Sequence, residues 1–263
     1  MTSRIVNKNL STINLFNRFP RANKNYLPSN NSCKDLVVFG SNIFSTVGYP
    51  GYTIIVRHMI KIPNTILAGN NFDIKSILIG IIISDGWLQI NKSGNTRFFF
   101  KQSLDKIEYF LYVFNKFSHY CSSYPMLSKS KIENKYFYGI YFATRTLPCF
   151  TYYYNIFYNK KTKIVPLDLY YLLNYEALAH WICCDGTKTS GALTLQTQSF
   201  TIKEVVFIVS ILIYKFNLKC SIHMQRNQPT IYISTKSMLS LQPHILPYIC
   251  KSMRYKLNLP FKG

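Results

Sequence analysis

One motif occurs twice in this chain: Leu78-Ile-Gly-Ile-Ile-Ile-Ser-Asp85-Gly86 returns about 100 residues later as Leu178-Ala-His-Trp-Ile-Cys-Cys-Asp185-Gly186, each an apolar helical run closed by Asp-Gly. A repeat constrains the fold more than composition does, because one supersecondary unit has to be built twice from one polypeptide. The likeness continues downstream. Gln102-Ser103 is followed, six positions on from Gln102, by Glu108, and Gln198-Ser199 likewise by Glu204. Each pair opens an apolar helix, one containing Lys116-Phe117 and the other Lys215-Phe216. A basic residue then ends each half, Lys163 lying 78 residues after Asp85 and Lys256 lying 71 after Asp185.

Within each repeat the hydrophobic period changes from helical to alternating, back to helical and again to alternating. Leu88 and Ile90 alternate with Gln89 and Asn91, while Arg97 and Lys101 share a strand face with Phe99 between them. In the second half Lys219, Ser221, His223 and Gln225 alternate with Cys220, Ile222 and Met224, and Thr230, Tyr232 and Ser234 alternate with Ile231 and Ile233. Such alternation marks sheets with one face on helices and the other open to solvent. The expected fold is α+β: helix, hairpin, helix, hairpin, helix, used twice, with helices on one side of each antiparallel sheet. The expected division is a leader over 1–70, a first unit over 71–165 and a second over 166–263.

Thirty-one Lys and Arg against ten acids leave a formal charge of +21, an excess that compact folding alone makes costly. A polyanionic partner explains it. The longest apolar stretches, Ile77–Ile83 and Val205–Tyr214, are too short to span a bilayer, so nucleic acid fits better than a membrane. The open strand faces supply donors and acceptors for phosphates and base edges: Gln89, Asn91, Arg97 and Lys101 in the first half, and Thr194, Gln196, Lys219, Ser221, His223, Gln225 and Tyr232 in the second. Two such sheets side by side make a saddle for duplex DNA. Because the two sets differ, the expected target is not palindromic and one chain suffices to bind it. Seven cysteines with no C-x-x-C pair read as reduced, small core residues rather than a disulfide framework or zinc site.

Acids are scarce, so two of them closing the repeated helices is informative. A carboxylate at a helix C-terminus opposes the local dipole, so neither Asp85 nor Asp185 serves helix stability. If the two apolar helices pack, their small residues Gly80, Ser84, Ala179 and Cys184 permit close approach and bring both carboxylates to one end. Their repulsion then calls for cations. Mg²⁺, which takes one or two carboxylates plus substrate phosphates, suits such a site, and two ions held by Asp85 and Asp185 can drive phosphodiester hydrolysis. A single Asp-Gly is an ordinary turn, but recurrence in both repeats favours the metal reading. Lys163 and Lys256 could stabilise phosphate charge or position the attacking water, though as solvated surface lysines they would be unremarkable.

These residues resemble the LAGLIDADG homing endonucleases, whose name spells the repeated helix, in their double-motif, single-chain form. Leu178–Gly186 is similar to the Leu-Ala-x-Trp variant of the subfamily of the yeast omega-intron enzyme, as are Leu195-Gln-Thr-Gln-Ser-Phe200, Pro229-Thr-Ile-Tyr-Ile233, Tyr255-Lys-Leu257 and Lys163-Ile-Val-Pro166. Phe39–Asn42 through Met59–Pro63 looks like the leader of fungal mitochondrial intron reading frames, which implies the mitochondrion. The resemblance, over about residues 36–258, implies an αββαββα unit used twice, cleavage to short 3′ overhangs and a long asymmetric target. It places the metal-binding carboxylates on Asp85 and Asp185 and the active-site lysines on Lys163 and Lys256. His180 and Trp181 depart from the name-giving Gly and Leu, and Ile83 and Cys183 from a preceding Asp. Two other functions use the same features: an intron RNA maturase and an inactive DNA-binding protein. The basic stretch Met1–Lys34 reads as a transit peptide, a DNA-binding arm or translated flanking sequence.

Overall fold

A computed structural model describes residues 74–257, apart from 122 and 134. The expected leader over 1–70 and the basic stretch Met1–Lys34 lie outside the described residues. The first repeat runs α1 (Ile74–Ile82), β1 (Trp87–Ile90), β2 (Thr96–Ser103), α2 (Ile107–Phe117), β3 (Met126–Ile132), β4 (Lys135–Ala143) and α3 (Pro148–Phe157). A two-residue-per-strand hairpin, β5 (Tyr158–Asn159) and β6 (Thr162–Lys163), and a single helical turn α4 (Leu169–Leu172) follow. The second repeat runs α5 (Tyr175–Asp185), β7 (Gly186–Thr189), β8 (Ala192–Gln196), α6 (Ile202–Phe216), β9 (Cys220–Gln225), β10 (Gln228–Ile233) and α7 (Thr235–Ile245), then short 3₁₀ turns to Leu257. The two sheets have the same strand order, β1-β2-β4-β3 and β7-β8-β10-β9. The αββαββα order is therefore present twice. The small β5–β6 hairpin was not expected; Lys160 and Lys161 turn it with φ of 46° and 72°.

The compact units do not follow the repeat boundaries. One comprises Leu88–Thr151; the other takes 74–87, with α1, together with the chain from Tyr152 onward. In the first unit the sheet's inner face is aromatic. Phe142 on β4 meets Phe98, Phe100, Phe110, Phe114 and Phe117 at ring-centroid distances of 5.4–6.1 Å, all of them buried. Alternation on β2 explains this, since Phe98, Phe100 and Gln102 point inward and Arg97, Lys101 and Ser103 outward.

In the second unit α6 begins with a capping box: the Thr201 side chain accepts from the Glu204 backbone N–H, and Glu204 Oε2 accepts from Thr201 N at 2.8 Å. Glu204 Oε1 also accepts from Val165 N at 2.9 Å, fixing the entry to the second repeat. The matching Glu108 has no such role. Ser103 instead caps a 3₁₀ turn over Leu104–Lys106, which delays the start of α2.

The α1–α5 packing positions the site. Asn174, at the N-cap of α5, accepts from Ala177 N at 2.8 Å and donates to Ser76 Oγ on α1 at 2.6 Å. At the crossing, a Cβ on Gly80 would lie 2.2 Å from the Ala177 carbonyl oxygen and 2.9 Å from His180 Cβ. Only glycine lets the backbones approach this closely. Gly80→Ala is expected to destabilise the protein by about 3 kcal/mol, because the obstacle is backbone rather than a movable side chain. Chemical denaturation measures it, and a loss below about 1 kcal/mol would show that the helices can separate freely.

Candidate active site

The two aspartates sit at equivalent ends of the packed helices. Asp185 is the last residue of α5, and Gly186 N–H closes the helix on the Ile182 carbonyl. A Cβ at Gly186 would meet that oxygen at 2.6 Å, which explains the glycine after the aspartate. Asp85 lies in the turn that follows α1; Gly86 N donates to Ile81 O at 2.8 Å and Ser84 Oγ to Gly80 O at 2.7 Å. Asp185 is half-buried and Asp85 exposed.

Each lysine reaches the helix end of its own repeat. Lys163, at the end of β6, donates through Nζ to Ser84 O at 2.9 Å and Gly86 O at 2.8 Å, the two carbonyls flanking Asp85. Lys256 donates to Ile182 O at 3.1 Å, Cys183 O at 2.6 Å and Cys184 O at 3.1 Å, the three carbonyls before Asp185. A helix C-terminus exposes carbonyls and partial negative charge, and an ammonium satisfies both. The two are not equivalent, however. An ammonium has three donors; Lys256, only 4% exposed, spends three bonds on carbonyls, whereas Lys163 spends two.

Electrostatics bind the four groups together. Burial pushes the Asp185 carboxyl from an ordinary 3.8 up to about 7, the Asp85 charge pushes it the same way, and Lys163 and Lys256 pull back. The Trp181 indole, fully buried one turn earlier, adds a weaker pull without full hydrogen-bond geometry at Nε1. Burial lowers the Lys163 ammonium to about 8 against the attraction of Asp185 and Asp85. Burial and the Asp85 charge together make Asp185 a carboxyl that holds its proton unusually well, with Lys163 and Lys256 as the opposing charges. Among the described residues no group of three or more His, Cys, Asp and Glu could hold a metal by itself. Two carboxylates suit a hard divalent cation whose other ligands would be water and substrate phosphate, and Asp85 and Asp185 could hold one.

The raised Asp185 value has a stability consequence. Between about pH 4 and 7 the unfolded chain has lost this proton while the native state keeps it, so native stability falls as pH rises through that window. Asp185→Asn removes the penalty. In metal-free buffer above pH 7 the variant is expected to be more stable than the parent by about 1–3 kcal/mol, and near pH 4 the two should converge. Thermal melts across that range check it, and a pH-independent difference would contradict it.

The nucleic-acid candidates divide by setting. On the first sheet Gln89, Arg97 and Lys101 are exposed; Arg97 donates to Gln89 Oε1 from Nε at 3.0 Å and Nη2 at 2.7 Å and lies 4.7 Å from the Phe99 ring centre. Asn91 lies beyond β1, where Oδ1 accepts from Ser93 Oγ at 2.8 Å and Asn95 N at 2.9 Å; it holds the hairpin turn. On the second sheet Ser221, His223 and Gln225 are exposed and Tyr232 half-buried, with the His223 ring stacked on Tyr232 at 4.8 Å and accepting or donating 3.0 Å from Ser221 Oγ. Gln196 is half-buried and donates to Thr187 Oγ1 at 3.1 Å. Lys219 is exposed just before β9. Thr194 differs from the expectation of an open position: it is 5% exposed, paired between Thr187 and Tyr232, too short to project past its neighbours. The six described cysteines are free, and no described helix is long and apolar enough to cross a membrane.

Residues 75–241 match the LAGLIDADG DNA endonuclease family. The chain is 36% identical over 157 residues to the intron-encoded endonuclease ai4 of Dictyostelium discoideum, covering 57% of this chain and 99% of that protein. It is 32% identical over 202 residues to the cytochrome b mRNA maturase bI2 of Saccharomyces cerevisiae, covering 72% of this chain and 48% of the relative, so it spans about half of that protein. It is also similar in structure to the homing endonuclease I-WcaI bound to its DNA recognition sequence. The TM-score is 0.66 at 29% identity, over 70% of this chain and 85% of that one.

Proposed function

The chain belongs to the LAGLIDADG DNA endonuclease family, and from that premise we propose that it is a homing endonuclease that cuts both strands of a long asymmetric duplex at one centre built on Asp85 and Asp185. The observation that carries this reading is a carboxylate at each of two matching helix ends, the Asp85 charge acting on Asp185 and each end held by its own lysine. Short 3′ overhangs and a mitochondrial site of action belong to the same reading, supported by the motif resemblance and the leader-like sequence upstream.

A divalent cation such as Mg²⁺ at the pair supplies charge stabilisation for the phosphate and makes water a stronger acid. The protein's part is positional and electrostatic. Asp85 and Asp185 would hold the cation, which would supply charge to the scissile phosphate. Lys256 Nζ fixes the end of α5 and thereby the Asp185 carboxylate. Lys163 Nζ fixes the turn at Asp85 and has one N–H left to orient a water or a phosphate oxygen; with a value near 8 it exchanges a proton readily close to neutral pH. Arg97, Gln89 and Lys101 on one sheet, and Gln196, Ser221, His223, Gln225 and Tyr232 on the other, take phosphates and base edges, with Lys219 as a phosphate contact. These faces carry different side chains, which supports a non-palindromic target and one chain per duplex.

Binding to the target is expected to weaken steeply with salt, as a basic protein releases counterions from several phosphates. A log-log plot of affinity against salt, with sedimentation for stoichiometry, tests the DNA reading. A near-zero slope, or two chains on a palindrome, would count against it. A second reading, RNA splicing assistance in addition to cleavage, is favoured by the 32% identity to the yeast maturase over 202 residues.

A further inference from the structure

The β3–β4 hairpin carries exposed aromatic surface that the endonuclease reading does not use. In this antiparallel pair Lys129 lies opposite Tyr138, Lys131 opposite Tyr136 and Leu127 opposite Ile140. By strand alternation these residues share the side of the sheet that bears Ile140 and Phe142, the helix-covered side. Ile140 and Phe142 are buried, whereas Tyr138 is 41% and Tyr136 54% exposed. The outer end of the hairpin therefore bares its inner side to solvent. Arg97 and Lys101 lie on the opposite side, since Lys101 pairs with Tyr141. A duplex on that polar side leaves the tyrosines uncovered.

The pattern is lysine alternating with aromatic ring. Lys129 Nζ lies 4.0 Å from the Tyr136 ring centre and 5.8 Å from that of Tyr138, and Lys131 Nζ lies 5.8 Å from Tyr136. The core of a protein–protein interface is enriched in aromatics but depleted in lysine, so a protein partner accounts for half of this surface. Single-stranded nucleic acid accounts for all of it: unpaired bases stack on tyrosine rings while ammonium groups between the rings take the backbone phosphates. Duplex does not, because its bases are already stacked.

We infer that the Tyr136–Tyr138–Lys129–Lys131 side of the β3–β4 hairpin is a second nucleic-acid site that binds single-stranded RNA independently of the duplex bound on the polar strand faces. The inference rests on the second reading above, that the protein also handles RNA, and gives that activity a location. A protein could then hold an unpaired RNA segment without vacating its DNA face.

The test uses the full chain, a labelled single-stranded 12-nucleotide RNA of mixed sequence, a DNA oligonucleotide of the same sequence and a selected target duplex. A Tyr136→Ala/Tyr138→Ala variant is expected to lose about 10-fold or more in RNA affinity per ring removed, because stacking on each is lost. Its duplex affinity should stay within about 2-fold. The Tyr136→Phe/Tyr138→Phe variant should keep RNA binding, which separates stacking from a folding defect, and unlabelled duplex should not displace the RNA. RNA binding that the Ala pair leaves unchanged would overturn this location while the RNA reading stands. No RNA binding by the parent would overturn both. Equal loss of RNA and duplex by a folded Ala pair, or full displacement by duplex, would assign the hairpin to the DNA face. Affinity for the DNA oligonucleotide equal to that for RNA would overturn the assignment to RNA.

Discussion

Asp85→Asn and Asp185→Asn, each alone, are expected to reduce double-strand cleavage by on the order of 10³-fold or more while leaving duplex binding nearly unchanged. On the proposed reading neither half holds a complete site. Asp85 and Asp185 close helices that cross at Gly80 with no room for a β-carbon, and the charge of one raises the proton affinity of the other. An amide keeps the shape and would remove one of the two anionic ligands that the described residues offer. Binding is carried by many contacts across the strand faces, so losing one carboxylate near the phosphates should leave affinity intact or tighten it slightly. Gel shift in Ca²⁺ and cutting in Mg²⁺ on one duplex separate the two effects. Near-normal double-strand cutting by either variant would refute the shared centre, and unfolding of both would leave Asp-Gly as a turn.

The two lysines should separate in a way their matching positions do not suggest. Lys256→Met strips the donor from three helix-end carbonyls in a buried setting and is expected to cost about 3 kcal/mol, or about 6 to 12 °C in Tm, together with most of the cleavage. Lys163→Met strips two carbonyls at a half-buried position and relieves the desolvation that lowers its ammonium to about 8. Those effects offset, so stability should change by about 1 kcal/mol or less while cleavage falls by about 10²-fold. Thermal melts paired with single-turnover cleavage distinguish the lysines. Equal stability losses in the two variants would remove the distinction between a helix-end clamp and a group with a donor to spare.

Much of this was legible because the repeat and the alternation report on burial directly. Strict alternation from Lys219 to Ser234 placed β9 and β10 and their open side chains, and the duplicated Asp-Gly placed both carboxylates. Four features escaped for physical reasons. Thr194 has the parity of an open position, but parity says nothing about the height of the neighbours that bury it. Asn91 alternates correctly with Ile90, yet turn geometry claims its side-chain oxygen. The lysines were expected at the site, but their partners are main-chain carbonyls, which have no sequence signature. The division into units follows packing: α1 joins α5, about 100 residues away, through a crossing that Gly80 makes possible. The alternation of Lys129 and Lys131 with Tyr136 and Tyr138 is written in the sequence, but the exposure that makes it notable is not.

The most direct test of the central claim is cleavage itself: the purified chain incubated with a randomised duplex library in Mg²⁺, with the cut ends sequenced. The account predicts recovery of one long, asymmetric sequence cut on both strands to leave short 3′ overhangs, with no products in chelator and none from Asp85→Asn. Binding of a specific duplex by the parent with no cut in Mg²⁺ or Mn²⁺, or cuts that persist in Asp85→Asn, would contradict it.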